Sequence, residues 1–511
     1  MRRGSMSCVW LWSCLLIMLS ATPTLAQGGD GGAIISQFLG TSLGPELPPN
    51  TGPIPPDMGG AVGTNQVVQM LNGSFTVYSR AGAVLDRTTD ADFWLNAGVS
   101  PSIVNTGLSD PRIIYDPSSG RWFASEISIG NPNATATLNE VLVAVSKTSD
   151  PLQGFSAVTI NSTSGTFGDF PTLGVTKNSV VIGTNNFSSS SGEEGLTGAT
   201  GVSIFSLPKT DLTAATPTTA NLTSFDNLPI ASQGWTPQTA TNFGTSCNPA
   251  ALCNATVLGV INDSTGLKIT SSQITGGSGG GAVLGPVVVS SMNLSTQPQD
   301  GRQPSAPAID SGDNRISSGP FQVGNNIYFA QSVLNGQGTD DVIQWGILDA
   351  TTGKVTAQGV IALPNQDLLY PSISANANGD FVLGFNGSGP NANTNISGYF
   401  DVCSPIGATI SCIAPQLDFA GLVGDYVLHD ENGVARWGDY SWTVVDPLDP
   451  MDFWLFQEYP LTAERWGTVI TEIALVSLAP EPASLLLMAS GLAGLGLLRR
   501  RRRRVGAPAA D

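Results

Sequence analysis

The sequence predicts an all-β protein, and the expected fold class is a β-propeller with seven blades. Short apolar runs such as residues 141–145 and 381–385 are bounded by glycine, asparagine and proline, which is typical of strands joined by tight turns. A hairpin unit also recurs, with starts near residues 57, 110, 169, 237, 304, 370 and 439. Intervals of roughly 53 to 69 residues suit a blade of four short strands plus loops. Because the copies near 237 and 304 are faint, six or eight blades stay open.

Each clear unit begins with a polar step that usually leads into proline, continues as a strand, turns tightly and returns as a second strand. Asp110-Pro111 starts such a unit, and the turn at residues 116–120 contains Pro117, which presets a type I turn, and Gly120, which tolerates positive φ. A pair of β-sandwiches would show a linker between units of about 100 residues, and a β-helix would show a shorter period. The pattern therefore favours the propeller. We expect residues 469–476 to close the ring against the first blade.

The N-terminus has the pattern of an export signal. Arg2 and Arg3 precede an apolar segment at residues 9–19, and Ala26 ends a small-residue cleavage site before Gln27. Residues 1–26 are therefore predicted to be a signal peptide that signal peptidase removes, with a retained N-terminal anchor as the alternative. Residues 27–54 are rich in glycine and proline and are interpreted as an N-terminal arm. Residues 55–479 are assigned to the propeller.

The C-terminus, residues 480–504, has three parts in a fixed order. Pro480, Glu481 and Pro482 come first, and the uncharged apolar run at residues 483–498 follows. As a helix this run would be about 24 Å long, slightly short of the usual hydrocarbon core of about 30 Å. Six arginines end the segment: Arg499, Arg500, Arg501, Arg502, Arg503 and Arg504. We expect a single transmembrane helix with cytoplasmic arginines, because a buried core helix with a basic tail would have no amphipathic face.

A Pro-Glu-Pro tripeptide, a short glycine-containing apolar helix and an arginine cluster resemble the PEP-CTERM sorting signal. The resemblance implies an exosortase as partner and cleavage near residues 480–482. It further implies a transient stage at the inner membrane of a Gram-negative bacterium, then release or attachment at the cell surface. The signal covers about thirty residues and does not predict the activity of the rest of the chain. The body, through motifs such as Asp110-Pro111-Arg112 and Trp437-Gly438-Asp439-Tyr440, also resembles a group of secreted bacterial propeller-like proteins, which implies the fold alone.

Charge and cysteine content narrow the classes of function. The formal net charge is −18, and eight of the 21 basic residues lie in the two terminal signals. Such a body should repel nucleic acid, so nucleic-acid binding is not expected. Cys247 with Cys253 and Cys403 with Cys412 form two close pairs that suggest local disulfides, although four cysteines permit three connectivities. With one histidine in the chain, a zinc site is disfavoured.

Four aspartates form the candidate site: Asp57, Asp110, Asp169 and Asp439. They occupy similar starts of four repeats, so the symmetry of a ring could point them at one central channel. Converging carboxylates repel one another, and such a face would bind calcium or another ligand. The alternative is that each aspartate caps the turn of its own blade. No confident metal site and no cofactor other than calcium is predicted.

The preferred function is that of an exported, non-catalytic binding or structural propeller in the extracellular matrix, with an extracellular polysaccharide as ligand. The alternative is a secreted glycoside hydrolase or lyase acting on polysaccharide. Five arginines are numerous enough for an active-site cluster, although nothing in the sequence shows that they converge: Arg112, Arg121, Arg302, Arg315 and Arg436. An open channel mouth with converging carboxylates would favour the enzyme, and a channel plugged by apolar side chains would favour the binding module.

Overall fold

Seven antiparallel sheets of four or five strands are arranged as a seven-bladed β-propeller, which confirms the predicted fold class and blade number. The computed structural model describes residues 31–44, 53–130, 138–188, 198–244, 247–391, 394–429 and 435–476. The first strand among the described residues is β1 (Gly31–Ser42). Blade 1 contains β2 (Gly59–Val62), β3 (Gln66–Leu71), β4 (Ser74–Ser79) and β5 (Val84–Thr88). Blade 2 contains β6 (Leu108–Asp116), β7 (Arg121–Ser128), β8 (Glu140–Ser146) and β9 (Phe155–Asn161).

The next two blades each have five strands. Blade 3 contains β10 (Phe167–Asp169), β11 (Gly174–Val175), β12 (Ser179–Phe187), β13 (Gly201–Pro208) and β14 (Thr223–Leu228). Blade 4 contains β15 (Trp235–Thr239), β16 (Ala255–Asp263), β17 (Gly266–Thr275), β18 (Val283–Leu284) and β19 (Val288–Ser291). The short helices described between strands are α1 (Asp90–Ala97), α2 (Pro101–Val104), α3 (Lys209–Leu212) and α4 (Ile230–Gln233), with 3₁₀ turns at Pro151–Gln153 and Ala250–Cys253.

The last three blades complete the ring. Blade 5 contains β20 (Phe321–Val323), β21 (Asn326–Leu334), β22 (Asp341–Asp349) and β23 (Lys354–Ile361). Blade 6 contains β24 (Asp367–Ala375), β25 (Phe381–Ser388), β26 (Ser397–Ile406), β27 (Thr409–Cys412) and β28 (Gln416–Phe419). Blade 7 contains β29 (Trp442–Val445), β30 (Asp452–Thr462), β31 (Arg465–Val476) and, as its outermost strand, β1.

Ring closure differs from the prediction. The segment interpreted as an N-terminal arm holds β1, which pairs with β31 from Gly31 opposite Val476 to Ser42 opposite Gly467. The run at residues 469–476 is therefore paired inside blade 7 and does not join the first blade. The sequence did not predict this strand, because Gly31, Gly32 and Gly40 interrupt its apolar pattern and the residues around it are rich in glycine and proline. The N-terminal strand thus fastens the last blade.

The predicted start of the fifth unit is also wrong. Residues 303–309 form no blade strand; Ile309 pairs in isolated bridges with Gly301 and Ala435, and the inner strand of blade 5 begins at Phe321. Residues 310–320, here called the channel segment, run instead through the centre of the ring. The side-chain amide of Gln238 in blade 4 donates to the Ile316 carbonyl at 2.8 Å. The Ser318 hydroxyl donates to the carbonyl of Ser441, just before blade 7, at 2.6 Å. The channel is therefore filled by the chain itself.

Five inner strands share an irregularity at the point where they enter the ring. One non-glycine residue there has a left-handed φ of 47–62°: Asp57, Asp110, Phe170, Thr236 and Tyr370. Such a φ is uncommon outside glycine and re-aims the backbone at a β-bulge. The Asp110 N–H consequently reaches the side-chain oxygen of Asn72 in the preceding blade at 3.0 Å, and the Thr236 N–H reaches that of Asn185 at 2.9 Å. At the recurrent polar-to-proline step, backbone N–H groups thus form hydrogen bonds that join neighbouring blades.

Both predicted disulfides are present, so the local connectivity is the one adopted among the three that four cysteines permit. Cys403 and Cys412 lie directly opposite each other on β26 and β27. Cys247 and Cys253 close a short loop before β16.

A buried carboxyl group fastens β1 to blade 6. The Gln37 side-chain amide donates to the Asp418 carboxyl oxygen at 3.2 Å and to its backbone carbonyl at 3.0 Å. Burial raises the pKa of Asp418 to about 7. Because the folded pKa lies above the unfolded value of 3.8, the contribution of this group to stability is full below about pH 4 and is lost as the pH rises through about 7.

We expect Asp418→Asn to flatten this pH dependence. The variant and the wild type should be similarly stable near pH 4, and the variant should be more stable at about pH 8, by at most about 4 kcal/mol, because one pKa unit corresponds to about 1.4 kcal/mol. Urea unfolding at several pH values measures the difference. Asp263→Asn is the control, since Lys268 and Thr265 lower the pKa of that exposed carboxyl to about 2, outside the tested range. Parallel pH profiles for wild type and Asp418→Asn would contradict the assignment.

Candidate functional site

The inner strands begin at one opening of the channel, here called the polar mouth. A cavity of about 110 Å³ lies there, next to the first residues of the channel segment. The lining residues that bear on function are Phe170, Asp310, Ser311, Asp313, Arg315, Tyr370, Arg436 and Asp439. They come from blades 3, 6 and 7 and from the channel segment, so only the closed ring assembles the site.

Two arginines organise the charges of the polar mouth. Arg315 grips the Asp313 carboxylate with two nitrogens, each at 2.8 Å, while its guanidinium lies 4.6 Å from the centre of the Phe170 ring. One nitrogen of Arg436 contacts Asp310 at 3.0 Å and Asp439 at 2.5 Å. Bidentate and shared pairs of this kind hold the planar guanidinium in place. Both cations are therefore already matched by carboxylates of the protein.

The carboxyl groups of the polar mouth differ in proton affinity. Burial raises the pKa of Asp310, and the positive charge of Arg436 offsets only part of that rise. Burial would also raise the pKa of Asp313, but the paired Arg315 holds it below its usual value. Burial and the negative charges of Asp310 and Asp439 raise the pKa of Tyr370 well above its usual value, so that this phenol stays protonated. The mouth thus offers both neutral donors and charged acceptors.

The four predicted aspartates do lie near one another, and two of them act as staples between blades. Asp57 accepts the backbone N–H of Asp439 at 3.0 Å and the Asn72 amide at 2.8 Å. Asp110 accepts the backbone N–H of Phe170 at 3.1 Å. Blades 7, 1, 2 and 3 are joined in this way. The expected alternative of capping therefore applies to these two, although they cap the neighbouring blade and not their own.

The remaining two aspartates have different surroundings. Asp439 lines the polar mouth. For Asp169, burial together with the negative charge of Asp110 raises the pKa well above its usual value. Burial and the charges of Asp439 and Asp110 likewise raise the pKa of Asp57. Among the described residues no group of three or more acidic, histidine or cysteine side chains is placed to hold a metal ion. The calcium site stays a prediction.

Three of the five arginines considered from the sequence converge. Arg315 and Arg436 line the polar mouth, and Arg112 lies below them with its guanidinium 4.9 Å from the centre of the Phe170 ring that Arg315 also contacts. Arg121 lies instead at the turn before β7, where it donates to the Ser146 carbonyl, and Arg302 binds Asp367 and Asp340. The arginine cluster thus contains three of the five arginines that the sequence offered.

Sequence reasoning missed Asp310, Ser311, Asp313 and Tyr370. The first three belong to the channel segment, which directly follows residues 303–309, the predicted start of a blade. One signal was present, because Asp310, Asp313 and Arg315 place three charges within six residues in a chain of which 12% of the residues are charged. Tyr370 sits at the left-handed position of β24, a position that the Tyr370-Pro371 step marks.

The opposite opening of the channel, here called the apolar mouth, is different in character. Its cavity of about 70 Å³ lies where the inner strands end, and its main lining residues are Ile114, Phe243, Phe321, Ile373, Val445 and Pro447. Arg112, Tyr440 and the channel segment separate the two mouths. The propeller therefore presents one polar and one apolar end.

The protein is a β-propeller, and the match of residues 478–503 to the PEP-CTERM protein-sorting motif indicates that it is exported. The motif implies processing by an exosortase and delivery towards the cell envelope or surface. The match contains the predicted tripeptide Pro480, Glu481 and Pro482 and the arginines up to Arg503. This C-terminal segment lies outside the described residues, and the predicted signal peptide also lies outside them. Within the part of the chain that the structure describes, no helix is long and apolar enough to cross a bilayer. No curated protein matches the chain.

Several solved structures resemble the chain in fold. A protein of unknown function from Dyadobacter fermentans is 10% identical, with 87% of this chain and 99% of that chain covered and a TM-score of 0.40. Trypanosoma rangeli sialidase in complex with sialic acid is 10% identical, with 86% and 62% covered and a TM-score of 0.35. Alpha-L-arabinofuranosidase from Lactobacillus brevis is 11% identical, with 71% and 90% covered and a TM-score of 0.31. At these values the likeness carries no information on activity.

Proposed function

We propose that the chain is a non-catalytic binding module of the extracellular matrix, whose polar mouth takes a neutral, hydroxyl-rich segment of polysaccharide. The single observation that carries this proposal is the polar cavity in which both arginines are already paired with aspartates. A ligand with a formal charge would have to displace one partner of a pair, and that exchange costs free energy. Sugar hydroxyls donate and accept hydrogen bonds without changing the charge balance.

Ser311 supports a hydroxyl-binding role. This residue is only 2% exposed, lines the polar mouth, and its side-chain oxygen has no hydrogen-bond partner. A buried hydroxyl without a partner lowers the stability of the protein relative to a paired one. A ligand that reaches this hydroxyl therefore gains a hydrogen bond without breaking one inside the protein. The Asp310 and Asp439 carboxylates beside it supply acceptors for further hydroxyl groups.

We expect Ser311→Ala to weaken binding of the neutral polysaccharide by about 5- to 10-fold, the value of one hydrogen bond of roughly 1 kcal/mol. The free energy of unfolding of the variant should not fall, because the hydroxyl has no partner in the free protein. Ser206→Ala is the matched control, since that buried hydroxyl in blade 3 is also unpartnered and does not line the mouth. Isothermal titration with the producer's own matrix polysaccharide, with dextran and with uronic-acid-rich alginate makes the measurement. Preference for alginate, or an equal loss in both variants, would contradict the proposal.

A glycoside hydrolase or lyase is the second candidate, and one observation favours it. Asp310 and Asp313 share the polar mouth, and their pKa values are shifted in opposite directions. Such a difference suits a general acid beside a charged carboxylate. Incubation with the same polysaccharides tests this candidate. Release of reducing ends or unsaturated products that Asp310→Asn and Asp313→Asn both abolish would establish catalysis and replace the binding proposal.

Export is proposed to proceed through removal of residues 1–26, a transient inner-membrane stage in a Gram-negative cell and cleavage near residues 480–482. The matching sorting motif supports this order. Intact-mass analysis of the native protein tests it. A mature species that begins at Gln27 and lacks everything after about Pro482 is expected outside the inner membrane, whereas an intact C-terminus in the inner membrane would contradict processing.

A further inference from the structure

The described chain ends at the apolar mouth. The β29–β30 turn contains Pro447, which lines that mouth, and the Leu475 N–H donates to the Met451 carbonyl in the same turn at 2.8 Å. Val476, the last described residue, ends β31 and lies opposite Gly31 in β1, the outermost strand of blade 7. Both ends of the described chain therefore leave the propeller from its apolar end.

The sorting motif follows closely. Four residue steps separate Val476 from Pro480, which is at most about 14 Å of extended chain, and seven steps separate it from the apolar run that begins at Ala483, about 25 Å. Since a seven-bladed ring is wider than this span, a membrane-inserted run would hold the apolar end of the propeller close to the bilayer. The end of the propeller with the polar mouth would then be the one farther from the bilayer.

Exposed apolar side chains surround this end in blades 6, 7, 1 and 2. We call them the apolar rim, which comprises Val84, Leu152, Ile406, Leu448 and Val476, with exposed fractions of 52%, 42%, 55%, 59% and 40%. Leu448 lies in the β29–β30 turn itself, and Val476 ends β31 beside it. Scattered exposed apolar residues are ordinary, but a row on the end from which the chain leaves is a surface suited to a partner.

Contacts between turns place the other members of the rim on the same end. Arg80, in the turn before Val84, donates to the Gly63 carbonyl at 3.1 Å, beside the end of β2. The Asp150 carboxyl, next to the 3₁₀ turn that holds Leu152, accepts the Gln66 amide at 3.3 Å. The turn at residues 376–380 contacts the Met451 sulfur through Asn378, and Pro405 beside Ile406 lies against Gly379 of that turn.

We propose that the apolar rim lies against the lipid bilayer while the C-terminal segment holds the chain at the membrane, so that the polar mouth faces away from it. Lipid is the occupant that the chain end selects, because the sorting motif brings the rim to the bilayer before any other partner is encountered. Insertion of apolar tips into the boundary between headgroups and acyl chains accounts for the contact. Electrostatic attraction does not account for the contact, since anionic lipid repels the acidic protein.

This orientation has a consequence for the site. Tethered with the rim towards lipid, the propeller would expose its polar mouth to polysaccharide even before the sorting segment is cleaved. Cleavage would then release the rim from the bilayer, because five apolar tips without a transmembrane segment provide only weak anchoring.

The test places a polarity-sensitive fluorophore on the full chain in phosphatidylcholine vesicles. Cys8→Ser and Cys14→Ser remove the two cysteines that lie outside the disulfides, and Leu448→Cys then supplies a single label in the rim. Leu422→Cys is the matched control, because it is 57% exposed and lies at the opposite end, where its N–H contacts the Pro460 carbonyl near the end of β30. The expected result is blue-shifted emission at residue 448, with several-fold stronger quenching by spin-labelled lipid than at residue 422.

A second variant keeps the outcome clear. Ile406→Asp with Val84→Asp should reduce quenching of the label at residue 448 without changing the unfolding midpoint, since both side chains are exposed. Equal quenching at residues 448 and 422 would overturn the proposal, as would failure of the full chain to associate with vesicles. A rim that instead drives concentration-dependent dimerisation in sedimentation would show that a second copy covers it, which also overturns the proposal.

Discussion

Replacing Arg112 by alanine lowers the free energy of unfolding by about 3–5 kcal/mol, because it removes the hydrogen bonds and the packing of a fully buried side chain at the centre of the ring. Arg112 is 0% exposed, and its guanidinium lies 3.9 Å from the centre of the Tyr440 ring. It donates to the carbonyl of Pro171 at 2.8 Å and to that of Ser317, in the channel segment, at 3.2 Å. Alanine leaves the Pro171 carbonyl oxygen unpaired, removes one of the two donors to the Ser317 carbonyl and opens a cavity between the two mouths.

Denaturant unfolding measures this loss. Arg121→Ala is the matched control, since Arg121 belongs to the same blade but lies half-buried at the β6–β7 turn, where it bonds the Ser146 carbonyl. A loss of about 1 kcal/mol is expected there. Comparable losses in the two variants would show that Arg112 does not join the channel segment to the blades. Arg112→Lys should recover little, because an ammonium group cannot stack on the tyrosine ring and bond two carbonyls in the same way.

Deleting residues 27–44 is expected to have the largest effect on stability, more than about 5 kcal/mol, which is a large share of the stability of an ordinary domain. The deletion removes β1 and leaves β31 as an exposed edge. It also removes the contacts of Thr41, whose hydroxyl lies 3.2 Å from that of Tyr78 and whose carbonyl accepts the Thr468 hydroxyl at 2.8 Å. Blade 1 and blade 7 both lose a partner.

Thermal unfolding and size-exclusion chromatography check this prediction, with aggregation expected through the free edge of β31. Deletion of residues 27–30 alone is the control, because it leaves β1 intact. An unchanged unfolding midpoint after the longer deletion would restore the interpretation of residues 27–54 as an arm outside the fold.

Local patterns predicted the blades well. The hairpin turn at residues 116–120 depends on residues within the turn, where Ser118 bonds Asp116 and Gly120 has a φ of +62°. Disulfide pairing was similarly local, since each pair is separated by nine residues or fewer. The recurrent polar-to-proline step marked the inner strands of most blades but not that of blade 5, and its role in joining blades required the position of Asn72 in the neighbouring sheet.

The candidate site was only partly predictable. The four aspartates were expected at one central channel because their positions repeat with the blades. Their roles divided once the neighbours were known, since Asp57 and Asp110 accept backbone N–H groups and Asp439 faces the cavity. The channel segment supplies Asp310, Asp313 and Arg315, and no repeat placed it there.

The sequence by itself determined the all-β class, the recurring hairpin unit, the close spacing of two pairs of cysteines and the sorting motif, because each depends on residues that are neighbours in the chain or recur at a regular interval. Only the tertiary structure decided which strand completes the last blade and what fills the channel. Thr41 and Thr468 are 427 residues apart, and Arg112 and Ser317 are 205 residues apart. Contacts over such separations depend on ring closure, which brings distant segments together through geometry that no local pattern of residues encodes.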